Sequence, residues 1–209
     1  MHRAHLLIYA KPPRMGLAKT RLARSLESPT QARRIAMMTL AKTMRAAMAG
    51  AWKPVLYTAP DSALTESLGG LWPAGLERRS QGSGDLTQRL NKGLAEAPPG
   101  PVLFIGADAP DISPALIRRA IRALQKQDAV FGPATDGGFW LFGQNKTART
   151  KSPFGNVRWS GPHAMADVKA NLSTAARVAE LPTLIDIDEA EDWEAWRSVA
   201  ERHGKPPQR

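Results

Sequence analysis

The chain has 209 residues, a formal net charge of +10 and no cysteine. A chain of this length can fold as one α/β domain without metal or disulfide support, and the absence of cysteine excludes thiol catalysis, disulfides and Cys-ligated zinc. No apolar run approaches the roughly 18 residues of a membrane-spanning helix, and the N-terminus carries no signal-peptide pattern, so we expect a cytoplasmic protein without a membrane span.

The basic charge favours partners that carry phosphate, because a positive surface attracts anions at long range. The lysines and arginines are scattered over many segments, however, and no RNA- or DNA-binding motif is present. Dispersed arginines on helix backs are usually a solvated face. The composition therefore favours a nucleotide ligand over nucleic acid, and a non-catalytic basic protein that binds nucleic acid stays open as the less favoured alternative.

The first predicted strand, 4–10, runs into a Gly-containing loop that enters a helix. This turn is crowded with basic residues and one threonine: Lys11, Arg14, Lys19, Thr20 and Arg21. Gly16 permits tight backbone geometry, and a loop that opens a helix presents N–H groups and a positive dipole end. The G-x-x-K-T-R spacing differs from a Walker A loop, so a phosphate cradle and an ordinary basic loop both remain open.

A long helix is predicted to begin at Ser28, with Pro29 at its first position and Gln31 completing a capping box. We expect four residues at helical spacing to face the core: Met37, Ala41, Met44 and Met48. Strands are predicted at 53–59 and, weakly, at 76–81.

A Gly-Ser-Gly turn follows the weak strand, with Gly82 and Gly84 on either side of a serine and Asp85 in the first helical turn. Such a turn can wrap a base or ribose through backbone contacts. It can equally be a plain helix N-terminus in which Asp85 complements the dipole.

The stretch 102–106 is predicted to be a buried central strand, because a short apolar run bounded by Pro and Gly is too short for a core helix. Asp108 then lies just past the carboxyl end of that strand, where open α/β sheets bind ligands. Ser113 and Pro114 are predicted to open the next helix.

A strand at 128–132 leads into Asp136, two glycines and a further strand from Phe139 to Phe142. The pattern is typical of a β-hairpin turn. It is equally compatible with Asp136 lying in a substrate pocket whose glycines let a ligand approach the backbone.

The C-terminal part is predicted to contain a helix over 160–173, a strand over 184–187 and a final helix. Asp188 and Glu191 have the spacing of an N-cap and capping box for that helix. Asp186 has no such explanation, and an unpaired carboxylate on a buried strand end is costly, so it is a candidate metal ligand. We expect one domain over 1–200 and a basic, frayed tail over 201–209.

Alternating strands and helices predict an α/β fold with a mostly parallel central sheet and helices on both faces. If the first and central strands are parallel neighbours, the basic loop and Asp108 meet at one sheet edge. Phosphates with a divalent ion between them would account for the charges on both sides, and oxygen ligands favour Mg²⁺ or Mn²⁺. The predicted chemistry is group transfer from a nucleotide donor to a small-molecule acceptor.

Six motifs in order resemble the bacterial family named rSAM/selenodomain-associated transferase 1: KPPRMGLAKTRL, QGSGDLTQRL, FIGADAPDI, FGPATDGGFWLFG, FGNVRWS and LIDIDEAEDW. That family is similar to nucleotide-diphospho-sugar transferases of the GT-A fold. The resemblance implies that Lys19 and Arg21 hold donor phosphates and that Asp108 binds the metal. It also implies a second acidic ligand, Asp186 or Asp188, and places the turn 82–85 beside the nucleoside.

Two chemistries remain open from the sequence. The resemblance favours a glycosyltransferase that uses a nucleotide or nucleotide-sugar donor, whereas the heavily charged loop favours a nucleotidyltransferase that releases pyrophosphate from a triphosphate. Asp136 is the candidate base. Phe139 and Gly161 stand where members of the resembled family usually carry Tyr and Thr, which removes two hydroxyls from the expected acceptor side.

Overall fold

A computed structural model describes residues 3–202, which form a seven-stranded sheet flanked by helices. The strands are β1 (His5–Ala10), β2 (Lys53–Thr58), β3 (Glu77–Ser80), β4 (Gly100–Ile105), β5 (Ala129–Pro133), β6 (Phe139–Lys146) and β7 (Val178–Glu180). The α-helices are α1 (Thr20–Ser25), α2 (Pro29–Met48), α3 (Leu86–Glu96), α4 (Pro114–Ala123), α5 (Ala164–Ala170) and α6 (Ala190–Arg202).

The strand order is β3-β2-β1-β4-β6-β5-β7. Strand β6 alone runs against its neighbours β4 and β5, and the other pairings are parallel. The mostly parallel α/β sheet predicted from the sequence is therefore confirmed. The antiparallel strand arises because β5 and β6 are joined by a short turn rather than by a crossover helix.

Strands β1 and β4 are parallel neighbours, with Ile8 opposite Ile105 in the register. The carboxyl ends of both strands therefore lie at one edge of the sheet. The basic loop after β1 and the turn containing Asp108 after β4 start from that edge, which is the juxtaposition on which the sequence-based model depends.

Alternating side chains of the strands pack against helices on both faces. Leu6 and Ile8 contribute to a cluster with residues of α2 and α4, whereas Leu7 belongs to a second cluster with Leu90 and Leu94 of α3. A third cluster joins α1, α2 and α6. Helices thus cover both faces, as expected from the sequence.

The predicted helix starts are confirmed where a side chain caps the helix. Ser28 accepts a hydrogen bond from the Gln31 backbone and precedes Pro29, and Ser113 caps α4 in the same way. Asp85 is the N-cap of α3 and forms a reciprocal capping box with Gln88.

The expected methionine stripe of α2 is wrong at two positions. Met44 is buried, but Met37 and Met48 are 38% and 43% exposed. The helix instead buries a stripe that includes Ile35, Ala36, Leu40 and Ala47. Alanines lie on several sides of this helix, so the pattern of apolar residues did not show which side is buried.

The C-terminal elements differ from the prediction. The short strand β7 was missed, and in the predicted strand 184–187 only Leu184 forms an isolated bridge, to Ala134. Helix α5 begins at Ala164 rather than at residue 160. Helix α6 continues to Arg202, and the rest of the predicted tail, 203–209, lies outside the described residues. Within 3–202, no helix is long and apolar enough to span a membrane.

Candidate active site

A cavity of about 520 Å³ opens at the carboxyl edge of the sheet. Eight of the predicted site residues line it: Lys11, Lys19, Thr20, Arg21, Asp108, Asp136, Asp186 and Asp188. The basic loop, the turn after the central strand and the acidic C-terminal segment therefore share one cleft.

Lys19 lies at the centre of the charged end of this cleft. It is the N-cap of α1 in the left-handed conformation, and its side chain is only 5% exposed. Its Nζ lies 2.6 Å from Asp108 Oδ1 and 3.1 Å from Asp188 Oδ1, and it also donates to the carbonyl of Ile187. An ammonium has three N–H donors, so protein oxygens occupy all of them.

The charge on Lys19 is set by these neighbours. Burial acts to lower the pKa of the Lys19 ammonium, but the carboxylates of Asp108 and Asp188 outweigh it, and the net result is a raised pKa. Lys19 is therefore a permanent cation that joins the turn after β4 to the acidic C-terminal segment.

Asp188 bridges two cations, since one carboxylate oxygen contacts Lys19 and the other accepts from Arg21. Its predicted role as the N-cap of the final helix is wrong. Asp192 Oδ2 instead accepts from the backbone N–H groups of Asp188 and Glu189, at 3.0 and 2.8 Å. The ion pairs with the basic loop occupy the Asp188 carboxylate, so the cap comes from the first turn of α6.

Asp186 is a half-buried carboxylate without a hydrogen-bond or ion-pair partner among residues 3–202. Burial raises its pKa well above the ordinary range, and the nearby carboxylates of Asp108, Asp188 and Asp136 raise it further against the opposing charge of Lys19. Asp186 therefore adds to the acidic end of the cleft a carboxyl group that no described cation pairs with.

These acids do not form a ready-made metal cage. Nowhere in 3–202 are three carboxylate or histidine side chains already arranged as ligands of one ion. Asp108 and Asp186 both have carboxylate oxygens free to bind a cation. Asp108 commits only Oδ1 to Lys19 and has a side chain 45% exposed, and Asp186 has no partner among the described residues. Mg²⁺ is commonly held by one or two carboxylates together with water and substrate phosphates.

Asp136 lies in the turn between β5 and β6, where its Oδ1 accepts from the backbone of Gly138 at 2.9 Å. The hairpin interpretation is confirmed, since this turn joins antiparallel strands. Asp136 also lines the cavity, and its role toward a substrate stays a prediction. Gly137 has φ +84°, and a Cβ there would lie 2.3 Å from the Pro162 carbonyl. Close packing of the turn on residues 160–162 therefore requires glycine.

Four predicted binding residues do not line the cavity: Gly16, Gly82, Gly84 and Asp85. The three glycines have positive φ angles, so they shape their turns. Asp85 caps α3, as the plainer of its two sequence interpretations proposed. Gly84 affects the cavity only through Arg89, which lines it. The Gly84 carbonyl accepts a hydrogen bond from Arg89 Nε at 3.1 Å.

Sequence reasoning missed the aromatic wall of the cavity. Tyr9 lines it and is stacked between Tyr57 and Phe104, at ring-centroid distances of 5.2 and 6.0 Å. Trp159 lies in the cavity wall and donates through Nε1 to Thr87 Oγ1 at 2.7 Å. The alternation of side chains along β1 could have placed Tyr9 on this wall, because Tyr9 lies on the same face of the strand as the buried Leu7.

A model of the family described as an uncharacterized protein conserved in bacteria, DUF2064, matches residues 39–161. The match spans more than half of the 209 residues. The chain belongs to the DUF2064 family. A search of curated proteins found no match to it.

Solved structures resemble this DUF2064 protein over nearly its whole length. A candidate nucleotide-diphospho-sugar transferase from Desulfovibrio desulfuricans G20 is 24% identical, with 96% of this chain and 89% of that chain covered and a TM-score of 0.83. A nucleotidyl transferase from Methanothermobacter thermautotroptrophicus is 15% identical, with coverage of 97% and 100% and a TM-score of 0.62.

Glucosyl-3-phosphoglycerate synthase from Mycobacterium tuberculosis, solved with Mg²⁺ and uridine diphosphate, is 10% identical, with 99% of this chain and 81% of that chain covered and a TM-score of 0.54. At such identities the likeness establishes the fold alone. The DUF2064 chain has the single-domain α/β fold of the nucleotide-diphospho-sugar transferases, which is GT-A-like.

Proposed function

We propose that this DUF2064 protein is a transferase with a nucleotide donor, and that the donor is a nucleotide sugar. The observation that carries the proposal is the meeting of Lys19 and Arg21 with Asp108, Asp186 and Asp188 at one end of a ligand-sized cavity. Opposite charges at the carboxyl edge of a parallel sheet suit a diphosphate and a cation. The ordered motifs also support the narrower rSAM/selenodomain-associated transferase 1 assignment.

A divalent cation fits the acidic end of the cleft. Asp186 lacks a partner within 3–202 and has a raised pKa, which marks a carboxylate in need of a counter-charge. We propose that Asp108 and Asp186 hold Mg²⁺ or Mn²⁺, with phosphate and water oxygens as its other ligands. When bound, the cation would offset the charge that develops on the departing diphosphate.

The protein's own cations favour a diphosphate leaving group over pyrophosphate. Most of the basic loop is already ion-paired, since Arg14 lies 2.7 Å from Glu66, Lys19 contacts Asp108, and Arg21 contacts Asp188. Lys11 is exposed, lines the cavity and has no ion-pair partner within 3–202. A triphosphate would need more free positive charge than this loop offers.

Each residue then has a distinct task in the proposed reaction. Lys11 binds the donor phosphates, with Thr20 and the segment 17–18 of the same loop beside them. Lys19 and Arg21 orient the acidic side chains. Asp136 lines the cavity near Asp186, and we propose that it accepts the proton of the acceptor hydroxyl.

Product analysis tests this function. The protein is incubated with sugar nucleotides and, separately, with nucleoside triphosphates, with and without Mn²⁺, and released nucleoside diphosphate and pyrophosphate are quantified. We expect diphosphate from at least one sugar nucleotide, strongly reduced in Asp108→Asn. Asp128→Asn is the matched control, because Asp128 pairs with Arg177 outside the cavity. Pyrophosphate from a triphosphate without diphosphate from any sugar nucleotide would replace this proposal with nucleotidyl transfer.

A further inference from the structure

Arg89 of α3 is a half-buried guanidinium in the cavity wall. Its Nε donates to the Gly84 carbonyl and its Nη1 donates to Gln81 Oε1, both at 3.1 Å. Within 3–202 no carboxylate forms an ion pair with it. A guanidinium has five N–H donors, so these two contacts fix its plane and leave capacity for a ligand.

The partner of Arg89 is itself immobilised. Gln81 is buried, at 5% exposure, and its Nε2 donates to the Tyr57 carbonyl at 3.0 Å. This bond fixes which end of the amide carries the oxygen, and that oxygen accepts from Arg89. The Arg89 guanidinium therefore presents N–H donors to a ligand in a fixed orientation.

The surroundings of Arg89 are apolar and aromatic. Tyr9, Leu86, Leu90 and Phe104 line the cavity with it, and Leu86 is 40% exposed. The Tyr9 hydroxyl donates to the Arg89 carbonyl at 2.9 Å, which ties the ring to the same helical turn. Apolar walls beside one oriented set of N–H donors suit a heterocyclic base.

We propose that this part of the cavity binds the base of the donor nucleotide and that Arg89 selects bases with a keto group, uracil or guanine, over cytosine and adenine. The inference rests on the proposed function, because it takes the phosphates to lie at the Lys11 and Asp108 end. It adds the class of base and the residue that reads it.

Hydrogen-bond chemistry supplies the discrimination. Uracil offers a carbonyl oxygen at the ring position where cytosine carries an amino group, and guanine offers a carbonyl where adenine carries one. Arginine can only donate hydrogen bonds. A keto oxygen accepts one from it, whereas an amino group places a second donor opposite the guanidinium and forms no hydrogen bond with it. A good arginine–base pair discriminates by about tenfold or more.

Calorimetric titration with UDP, GDP, CDP, ADP and inorganic pyrophosphate at fixed Mg²⁺ tests the proposal. We expect UDP or GDP to bind at least tenfold more tightly than CDP and ADP. Arg89→Gln, which replaces donors by an amide that can also accept, should remove most of that preference, and Arg89→Lys should weaken it. Arg119→Gln on α4 is the matched control, because it removes the same charge from an exposed residue outside the cavity.

The outcomes separate the two proposals. If none of the four nucleotides binds, the proposed function fails and this inference fails with it. If all four bind with equal affinity, or the amino bases bind more tightly, only the base selection is wrong. If Arg89→Gln weakens all nucleotides and inorganic pyrophosphate equally, Arg89 binds phosphate and the inference is also overturned. Thermal unfolding of each variant verifies that the fold is retained.

Discussion

The Nζ of Lys19 lies 2.6 Å from Oδ1 of Asp108, and this contact joins the loop after β1 to the turn after β4. Because Lys19 also contacts Asp188, one buried ammonium holds together three segments that are distant in sequence. In the proposed function Lys19 is therefore a positioning residue. Its N–H donors are occupied before any phosphate arrives.

Replacing Lys19 by methionine should destabilise the protein. The variant keeps much of the side-chain volume but leaves Asp108 and Asp188 without their shared cation. We expect the free energy of unfolding to fall by about 3 kcal/mol, because breaking a buried pair leaves uncompensated charge. Urea denaturation measures the change, and added Mn²⁺ should restore part of it.

Lys53→Met is the control for that experiment. Lys53 pairs with Glu77 at 2.7 Å, but its side chain is 44% exposed. Such a surface pair should be worth less than about 1 kcal/mol. Equal losses in the two variants would show that Lys19 has no special structural role.

Asp186→Asn should separate stability from cation binding. The substitution removes a half-buried charge that its acidic neighbours oppose, so we expect a gain of about 1 kcal/mol in cation-free buffer. The increase in Tm on adding Mn²⁺ should be lost. Glu189→Gln removes one charge from an exposed position of the same segment and should leave that increase intact. A normal response to Mn²⁺ in Asp186→Asn would rule Asp186 out as a ligand.

The two tyrosines of the chain should resist ionisation. Burial raises the pKa of both Tyr9 and Tyr57 above the ordinary value, and the nearby Glu96 carboxylate adds to the shift. A folded-state pKa above the unfolded one contributes stability that is complete below about pH 10 and is lost as pH rises beyond it. Absorbance at 295 nm should stay low at pH 10.5 in the folded protein and rise in urea. Tyrosinate formation with the fold intact at that pH would contradict the packing described for this stack.

Gly93→Ala should disturb the aromatic wall. A Cβ at Gly93 would lie 2.0 Å from the Tyr9 hydroxyl oxygen. Overpacking of this kind costs about 1–3 kcal/mol, which exceeds the gain of about 1 kcal/mol from replacing glycine within a helix. Denaturant unfolding measures the net loss. Adding Tyr9→Phe removes the clashing oxygen and should recover stability, whereas Gly75→Ala, at a position with open space, should have little effect. A double variant as unstable as Gly93→Ala would show that the hydroxyl is not the obstacle.

The sequence predicted the features that depend on local pattern. The strand ending before Asp108, the caps at Ser28 and Ser113, and the hairpin at Asp136 all follow from apolar runs, capping residues and turn residues. The sequence predicted that the basic loop and Asp108 lie at the same sheet edge only on the assumption that β1 and β4 pair in parallel. It did not predict the contact between Lys19 and Asp108 itself.

Features that depend on long-range partners were not predictable in the same way. Asp188 matched a capping pattern, and nothing local showed that Arg21 would occupy its carboxylate. No sequence pattern singled out Arg89, because its orientation depends on a hydrogen bond to Gln81. Ion pairs and cavity walls between distant segments leave no periodic trace in a single sequence.

The central claim is that a nucleoside diphosphate and a divalent cation share the cleft lined by Lys11 and Asp108. The most direct measurement is the affinity for UDP and GDP with and without Mn²⁺, in the wild-type protein and in Asp108→Asn. We expect Mn²⁺ to tighten binding at least tenfold in the wild type and to have no effect in the variant. Binding that ignores Mn²⁺, or a cation effect that survives Asp108→Asn, would contradict the account.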